Sequence, residues 1–362
     1  MIKMEKIKKI KRLLLDFNID GYFIPKNDEF FGEYVSENKD KLKFISNFTG
    51  SYGFALILKN KNYLFVDGRY TLQAKLESGK YYKIITLPQK KISDILKKDK
   101  LKIGFDPKVF TKQTLNFFFK ETNCDLISIK IDLIDKIWTR HNKKKINKFY
   151  TLPENVVGKN YKNKLNNLLI LLRRKKVDLH FISSSENIAW LLNIRGTDTE
   201  FTPLPHSYFI ITSDKNFYLF CDLKKITYSF KKKFKNINFL DISFTNIFLK
   251  KISNKKILLD QNSCSVFFEN ILQKKNKIIK SHDPINLIKS TKSKIEIKNS
   301  IQSHIYDGIA VTKFLFWIRK NFKVKHLTEI DAQNKLLKFR KENKQFKFPS
   351  FPTISGSGYN GA

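Results

Sequence analysis

Arginine is scarce in this chain. Eight of its 70 basic residues are arginine and the rest are lysine. That shortage decides how the net charge of +37 is read. A balance so basic suggests a nucleic-acid binder, yet bidentate phosphate and guanine contacts call for arginine's planar fork. The lysines are also spread along the whole chain instead of forming one tail or stripe. Lysine, asparagine, isoleucine and phenylalanine are inflated together, the set an AT-rich coding sequence favours. No specific nucleic-acid partner is expected. Weak, salt-sensitive association with polyanions follows from the charge alone.

Cysteine is equally sparse. Cys124, Cys221 and Cys264 stand far apart, with no CxxC pair, and are expected to be buried reduced thiols of a cytoplasmic protein. No apolar run is long enough to cross a bilayer, so no membrane partner is expected. Residues 1–17 are lysine-rich and lack both an apolar core and a small-residue cleavage site. Ile7, Ile10, Leu14 and Phe17 recur at helical spacing there and predict an amphipathic first helix. There is no HExxH, and His141, His180, His206, His282, His304 and His326 are scattered, as surface or hydrogen-bonded structural histidines would be. Gly50-Ser51-Tyr52-Gly53 and Gly356-Ser357-Gly358 lack the lysine and spacing of a P-loop and are expected to be tight turns needing positive φ.

What the chain does contain is a worn internal repeat. Asp20-Gly21-Tyr22-Phe23-Ile24-Pro25 is echoed by Asp178-Leu179-His180-Phe181-Ile182-Ser183. Tyr63-Leu64-Phe65-Val66-Asp67 returns as Tyr218-Leu219-Phe220-Cys221-Asp222, and Lys102-Ile103-Gly104-Phe105-Asp106 as Lys256-Ile257-Leu258-Leu259-Asp260. The offsets lie between 154 and 158 residues, a period that means duplicated domains and not a solenoid. Each copy has a helical pattern, a short apolar strand, another helix, and two strands meeting at a turn rich in Asn, Asp or Ser. Helices alternating with strands predict an α/β layer structure. The expected domains are 1–155 and 156–288.

A third unit, 289–362, follows Asp283-Pro284. Ser293 and Glu296 have capping-box spacing. Ile297, Ile301, Ile305 and Ile309 mark one helical face beyond them. A second helix is expected from near Thr328 to about Asn343, then strand and turn. Two helices and the beginning of a hairpin cannot close a core of their own.

Several ordered blocks resemble the long, three-domain form of aminopeptidase P. They include Asp20 to Pro25, Ile45-Ser46-Asn47-Phe48-Thr49-Gly50 and Val66-Asp67-Gly68-Arg69-Tyr70-Thr71. The second half adds Ile188-Ala189-Trp190-Leu191-Leu192-Asn193, Thr202-Pro203-Leu204-Pro205, His304-Ile305-Tyr306-Asp307-Gly308 and Phe351-Pro352-Thr353-Ile354-Ser355. The resemblance implies two duplicated creatinase/aminopeptidase P N-terminal-type domains, followed by the start of a pita-bread (α+β) catalytic domain. It implies a metallopeptidase that hydrolyses the bond before a proline in second position. In that family two divalent ions, usually Mn2+, are held by two aspartates, a histidine and two glutamates, which share a hydroxide and polarise the carbonyl. All five ligands belong beyond Ala362, so no metal is expected on this chain and no activity is expected of it alone.

The family places an arginine lining the peptide-binding site where Arg69 stands, which makes Arg69 the expected substrate-binding residue. The alternative is a strand-ending arginine paired to Asp67 or Glu77. Arg195 attracts the same suspicion, since lysine cannot copy a fork that binds carboxylate or carbonyls. The resemblance also implies a homodimer. A non-catalytic dimerisation or peptide-binding module is the rival reading. A creatinase-type hydrolase shares the fold, but Asp67-Gly68-Arg69-Tyr70 and Phe351-Pro352-Thr353 fit aminopeptidase P better.

Overall fold

The computed structural model describes residues 2–97, 99–140, 146–324 and 326–361, so His141 lies outside the described residues. Short β-branched and aromatic runs make the strands. β1 (Gly21–Pro25), β2 (Gly53–Leu58), β3 (Asn62–Asp67), β4 (Lys83–Leu87), β5 (Lys102–Phe105) and β6 (Asp125–Ser128) form one sheet, ordered β4-β3-β2-β1-β5-β6. β2 alone runs against its neighbours. Every residue of β1 is buried, with Phe23 in the cluster on one face and Tyr22 and Ile24 in the cluster on the other. A strand covered on both faces reads as a continuous apolar run, and this one does.

β7 (Tyr150–Thr151) and β9 (Ile194–Arg195) pair only with each other. The second sheet is built from β8 (Leu179–Ile182), β10 (Ser207–Thr212), β11 (Phe217–Cys221), β12 (Asn238–Asp241), β13 (Lys256–Asp260) and β14 (Lys277–Ser281). Its order, β12-β11-β10-β8-β13-β14, repeats the first strand for strand, with β10 alone antiparallel. The echoing blocks of the sequence thus fall on equivalent strands. Their aspartates explain why the echo survives. Asp20 accepts a bond from the Lys102 backbone N–H at 2.9 Å, and Asp178 accepts one from Lys256 at 2.7 Å. Asp67 accepts from Arg69 N–H and Asp222 from Lys224 N–H, each opening a 3-10 turn. A carboxylate that satisfies a free backbone donor at a strand end is not replaceable by an apolar residue.

The two sheets are joined by reciprocal insertion. Phe30, from the loop after β1, is buried in a core cluster of the second sheet, and Val266 is buried in a cluster of the first. Val266 and Phe267 open the helix Val266–Gln273 and donate their backbone N–H groups to the carbonyls of Phe110 and Pro107, at 2.8 and 2.9 Å. These are donors that a helix start leaves without partners inside the helix.

Ser293 and Glu296 do form the expected capping box, which starts the helix Lys294–Asn321. Asn299 ties that helix to the carbonyl of Asn155 at 3.0 Å. Thr328 and Asp331 cap the helix Glu329–Lys341, whose Arg340 binds Asp307 at 2.6 Å. The two helices bury little: Ala310 is the one buried side chain of the first, and the second has none. Ile297, Ile301, Ile305 and Ile309 are all exposed. The expected terminal strand is not formed. Beyond Lys341 the described residues hold a single 3-10 turn, Gly358–Gly361, because no neighbouring strand is there to pair with. Two smaller expectations also change. Cys124 is half-buried, whereas Cys221 and Cys264 are buried. Among the tight-turn glycines only Gly358 has positive φ, at 55°. Gly50 is needed for space instead, since a Cβ there would lie 2.2 Å from the Phe48 ring.

Candidate functional site

Arg69 stands two residues past the end of β3, in the 3-10 turn Gly68–Tyr70 that Asp67 caps. The Asp67 carboxylate holds both the turn and the side chain. It accepts from Arg69 N–H at 3.0 Å, from Nε at 3.1 Å and from Nη2 at 2.7 Å. This bidentate pair keeps the guanidinium even more firmly protonated than usual, chiefly through the Asp67 hydrogen bonds. The side chain is still 67% exposed. Its guanidinium lies 5.1 Å from the centre of the Tyr70 ring, whose hydroxyl is 2.7 Å from Ser51 Oγ. The Arg69 fork therefore already has a carboxylate partner in Asp67. Glu77, the other partner weighed for it, is bonded instead to Thr49 and Gln73.

Arg195 is half-buried, and its Nη1 donates to the carbonyls of Ala189 and Ile194, both at 2.9 Å. Burial pushes its pKa below the ordinary guanidinium value. Nη1 of its fork is thus taken up by backbone carbonyls of the preceding helix and of its own strand.

His282, His304 and His326 are exposed, and His206 is stacked on Phe30 with ring centroids 4.1 Å apart. His180 breaks the expectation of surface or hydrogen-bonded histidines. It is fully buried in β8, and neither ring nitrogen has a hydrogen-bond partner among the described residues. Asp283 Oδ1 lies 3.8 Å from Nε2. Burial drives the His180 pKa below its ordinary value, against the pull of Asp283. Sequence placed Asp178 nearest to this histidine; the fold brings Asp283 there instead.

Metal-binding sites need several hard donors on one cavity. Among the described residues no three His, Cys, Asp or Glu side chains are grouped to hold an ion, so the residues present do not fit a metal pair. No described helix is long and apolar enough to cross a membrane.

Comparison with known proteins gives these features their setting. The Creatinase/Prolidase N-terminal domain family matches twice, over residues 6–136 and 140–296. A probable Xaa-Pro aminopeptidase P of Laccaria bicolor is 28% identical over 99% of this chain and 58% of its own length. Xaa-Pro aminopeptidase 1 of Dictyostelium discoideum is 29% identical over 99% of this chain and 60% of its own. This chain thus spans about three-fifths of the length of these curated relatives. The crystal structure of an X-prolyl aminopeptidase from Caenorhabditis elegans, described as a cytosolic enzyme with a di-nuclear active site, superposes with a TM-score of 0.88. That match covers 97% of this chain and 62% of the other, at 23% identity, and establishes a shared fold. With two creatinase/prolidase N-terminal domains and likeness to Xaa-Pro aminopeptidases along nearly its whole length, this chain belongs to the aminopeptidase P family.

Proposed function

We propose that this chain is the amino-terminal portion of a metal-dependent Xaa-Pro aminopeptidase. Its substrate is a peptide with proline in second position, cleaved at an imide bond that lacks an N–H. Domains 1–155 and 156–288 shape the entrance and a homodimer contact, and 289–362 begins the catalytic domain. The enzyme is cytoplasmic. One observation carries the reading: likeness to enzymes of that name runs through 99% of this chain, across both sheets and the helices after them. Arg69 binds the peptide, opening its pair with Asp67 to do so; its exposure makes that exchange cheap, since exposed ion pairs contribute about 1 kcal/mol or less. A metal pair would supply the nucleophile and polarise the carbonyl. Among the described residues no ligand set for it is grouped, and turnover is expected once the rest of a catalytic domain is joined to this chain.

The test is a chimera. This chain is joined to the part of the Dictyostelium relative that follows the matched region, and assayed on a short Xaa-Pro peptide with manganese, cobalt or zinc. The chimera is expected to turn over and the chain alone is not. A folded, metal-loaded chimera without activity, or metal-dependent turnover by the chain alone, sinks this reading.

A further inference from the structure

Five of the six strands in each sheet run the same way, so their carboxyl ends gather on one edge. β1 and β5 are neighbours whose chains then leave in opposite directions, towards β2 and towards β6. Such a switch point opens a crevice where open α/β sheets bind ligands. β8 and β13 make the equivalent crevice in the second sheet. The two have diverged. In the second, Phe30 and Phe31 of the first domain lie against Ser184, Ser185 and Ser263, leaving about 100 Å³. In the first, a cavity of about 630 Å³ remains, within the range of small-molecule sites.

That larger cavity has unfinished chemistry. Asp28 Oδ2, Asn246 Oδ1 and Arg140 Nε are buried atoms without a hydrogen-bond partner among the described residues, and all three residues line it. Asp28 is 3% exposed and comes from the loop after β1; Asn246 comes from the second domain, in the helix Thr245–Lys251. Buried polar atoms are almost always paired, and three orphans around one space mark missing partners. At the mouth, Lys108 and Lys130 are exposed and make no ion pair with a described carboxylate, whereas Lys41 is engaged by Asp106 and Asp132. Lys39 is engaged by Glu29 and, at 3.6 Å, by Asp28 Oδ2, and Arg140 by Asp135 through Nη2, which leaves its Nε free to donate. Phe267 and Ile131 supply apolar wall. In a chain of net charge +37, this cavity carries equal numbers of acidic and basic side chains.

We propose that this cavity binds a small zwitterion, a free amino acid or short peptide, with its amino group towards Asp28 and Asn246 and its carboxylate towards Arg140, Lys108 and Lys130. A simple anion would engage Arg140 and the lysines but leave the two orphan acceptors without donors. A simple cation would do the reverse. A ligand bearing both ends satisfies all three orphans and keeps the balance of charge. The site is two strands away from Arg69 in the sheet, since β2 and β1 lie between β3 and β5. It stands independently of the peptidase reading.

Calorimetric titration of the 362-residue chain with glycyl-leucine tests this, because a dipeptide without proline stays outside the proposed reaction. One-to-one binding is expected, weakened about tenfold or more by N-acetylation, by C-amidation and by the double variant Lys108→Glu, Lys130→Glu. Both lysines are exposed, so that variant keeps its fold, and circular dichroism verifies it. Asn246→Ala is expected to weaken binding as well. No heat and no thermal shift with millimolar dipeptide overturns the proposal. So does equal binding of the capped peptides, or inorganic phosphate binding as tightly as the dipeptide, which would make the cavity a plain anion site.

Discussion

Tyr22 donates its hydroxyl to Asp132 Oδ2 at 3.2 Å, and in the second sheet the equivalent places are held by His180 and Asp283, 3.8 Å apart. Tyr22 faces Ile57 and Gly104 on its neighbouring strands, and His180 faces Ile211 and Leu258 at the same register. Asp132 and Asp283 both cap the helix that follows, accepting from Ile134 and Ile285 N–H. One copy therefore holds a hydrogen-bonded tyrosine whose hydroxyl burial pushes well above its ordinary value, and the other holds a histidine that burial pushes below its own.

The His180 pair makes stability sensitive to mild acid. Burial places the folded-state pKa below the ordinary 6.5, so the unfolded chain takes up the proton first as pH falls. Stability from this residue is full above about pH 6.5 and declines below it, at most by about 1.4 kcal/mol per pH unit. Asp283, Asp260 and Lys175 are the charged groups acting on it. Urea midpoints for wild type and His180→Phe should diverge in pH dependence between about pH 7.5 and 5.5. Parallel pH profiles for the two proteins would refute this.

Lys41 should be among the costliest single residues to lose. Its ammonium lies 3.0 Å from both Asp106 and Asp132 and 3.7 Å from Asp135. Burial works against that charge, yet the aspartates hold it well above the ordinary lysine range. Burial also raises Asp132, with Asp106 adding repulsion. Lys41→Met would leave Asp106 and Asp132 facing one another without that cation, at a cost of about 3 kcal/mol or more. Equilibrium denaturation reads this directly, and a loss under about 1 kcal/mol would show that solvent screens the cluster.

Arg69→Lys should separate catalysis from stability. The side chain is two-thirds exposed, so denaturation midpoints should move by no more than about 0.5 kcal/mol. In the active chimera, kcat/KM should fall about tenfold, because charge is kept while fork geometry is lost. An unchanged kcat/KM would leave Arg69 as the clasp of its own turn.

The segment after Ser293 should be the first to yield to protease. Ile301, Ile305, Leu315 and Phe316 are all exposed on the helix Lys294–Asn321, and helices draw most of their stability from packing. Trypsin under native conditions should cut in the lysine-rich stretch around Lys320 and Lys323 before it touches either sheet. Mass spectrometry of the first fragments tests this, and early cleavage inside β1 to β6 would contradict it.

Sequence alone revealed the duplicated sheets because the aspartates at their strand ends do local work that no other residue does as well. Asp20, Asp67 and Asp106 each bind a backbone N–H a short chain distance or one strand away, so their spacing persists after the apolar residues drift. The capping pairs Ser293–Glu296 and Thr328–Asp331 were legible for the same reason. Arg69 was singled out through family likeness as a candidate, and its partner was open until the turn geometry chose Asp67. His180–Asp283 and the Asp28–Asn246–Arg140 cavity were not legible. Each joins residues around a hundred positions or more apart that meet only once β1, β5, β8 and β13 are laid side by side. The missing terminal strand was misread because a strand-like pattern needs a neighbour, which no local signal supplies.

The helix Val266–Gln273 borrows its first two backbone acceptors from Pro107 and Phe110, residues completed far earlier in synthesis. That borrowing gives assembly a direction. On the ribosome the first sheet can finish alone, and its carbonyls then wait as a template on which this helix of the second sheet nucleates. The second domain made by itself would have to start that helix with its leading N–H groups turned to water, so it should fold more slowly than it does behind its twin.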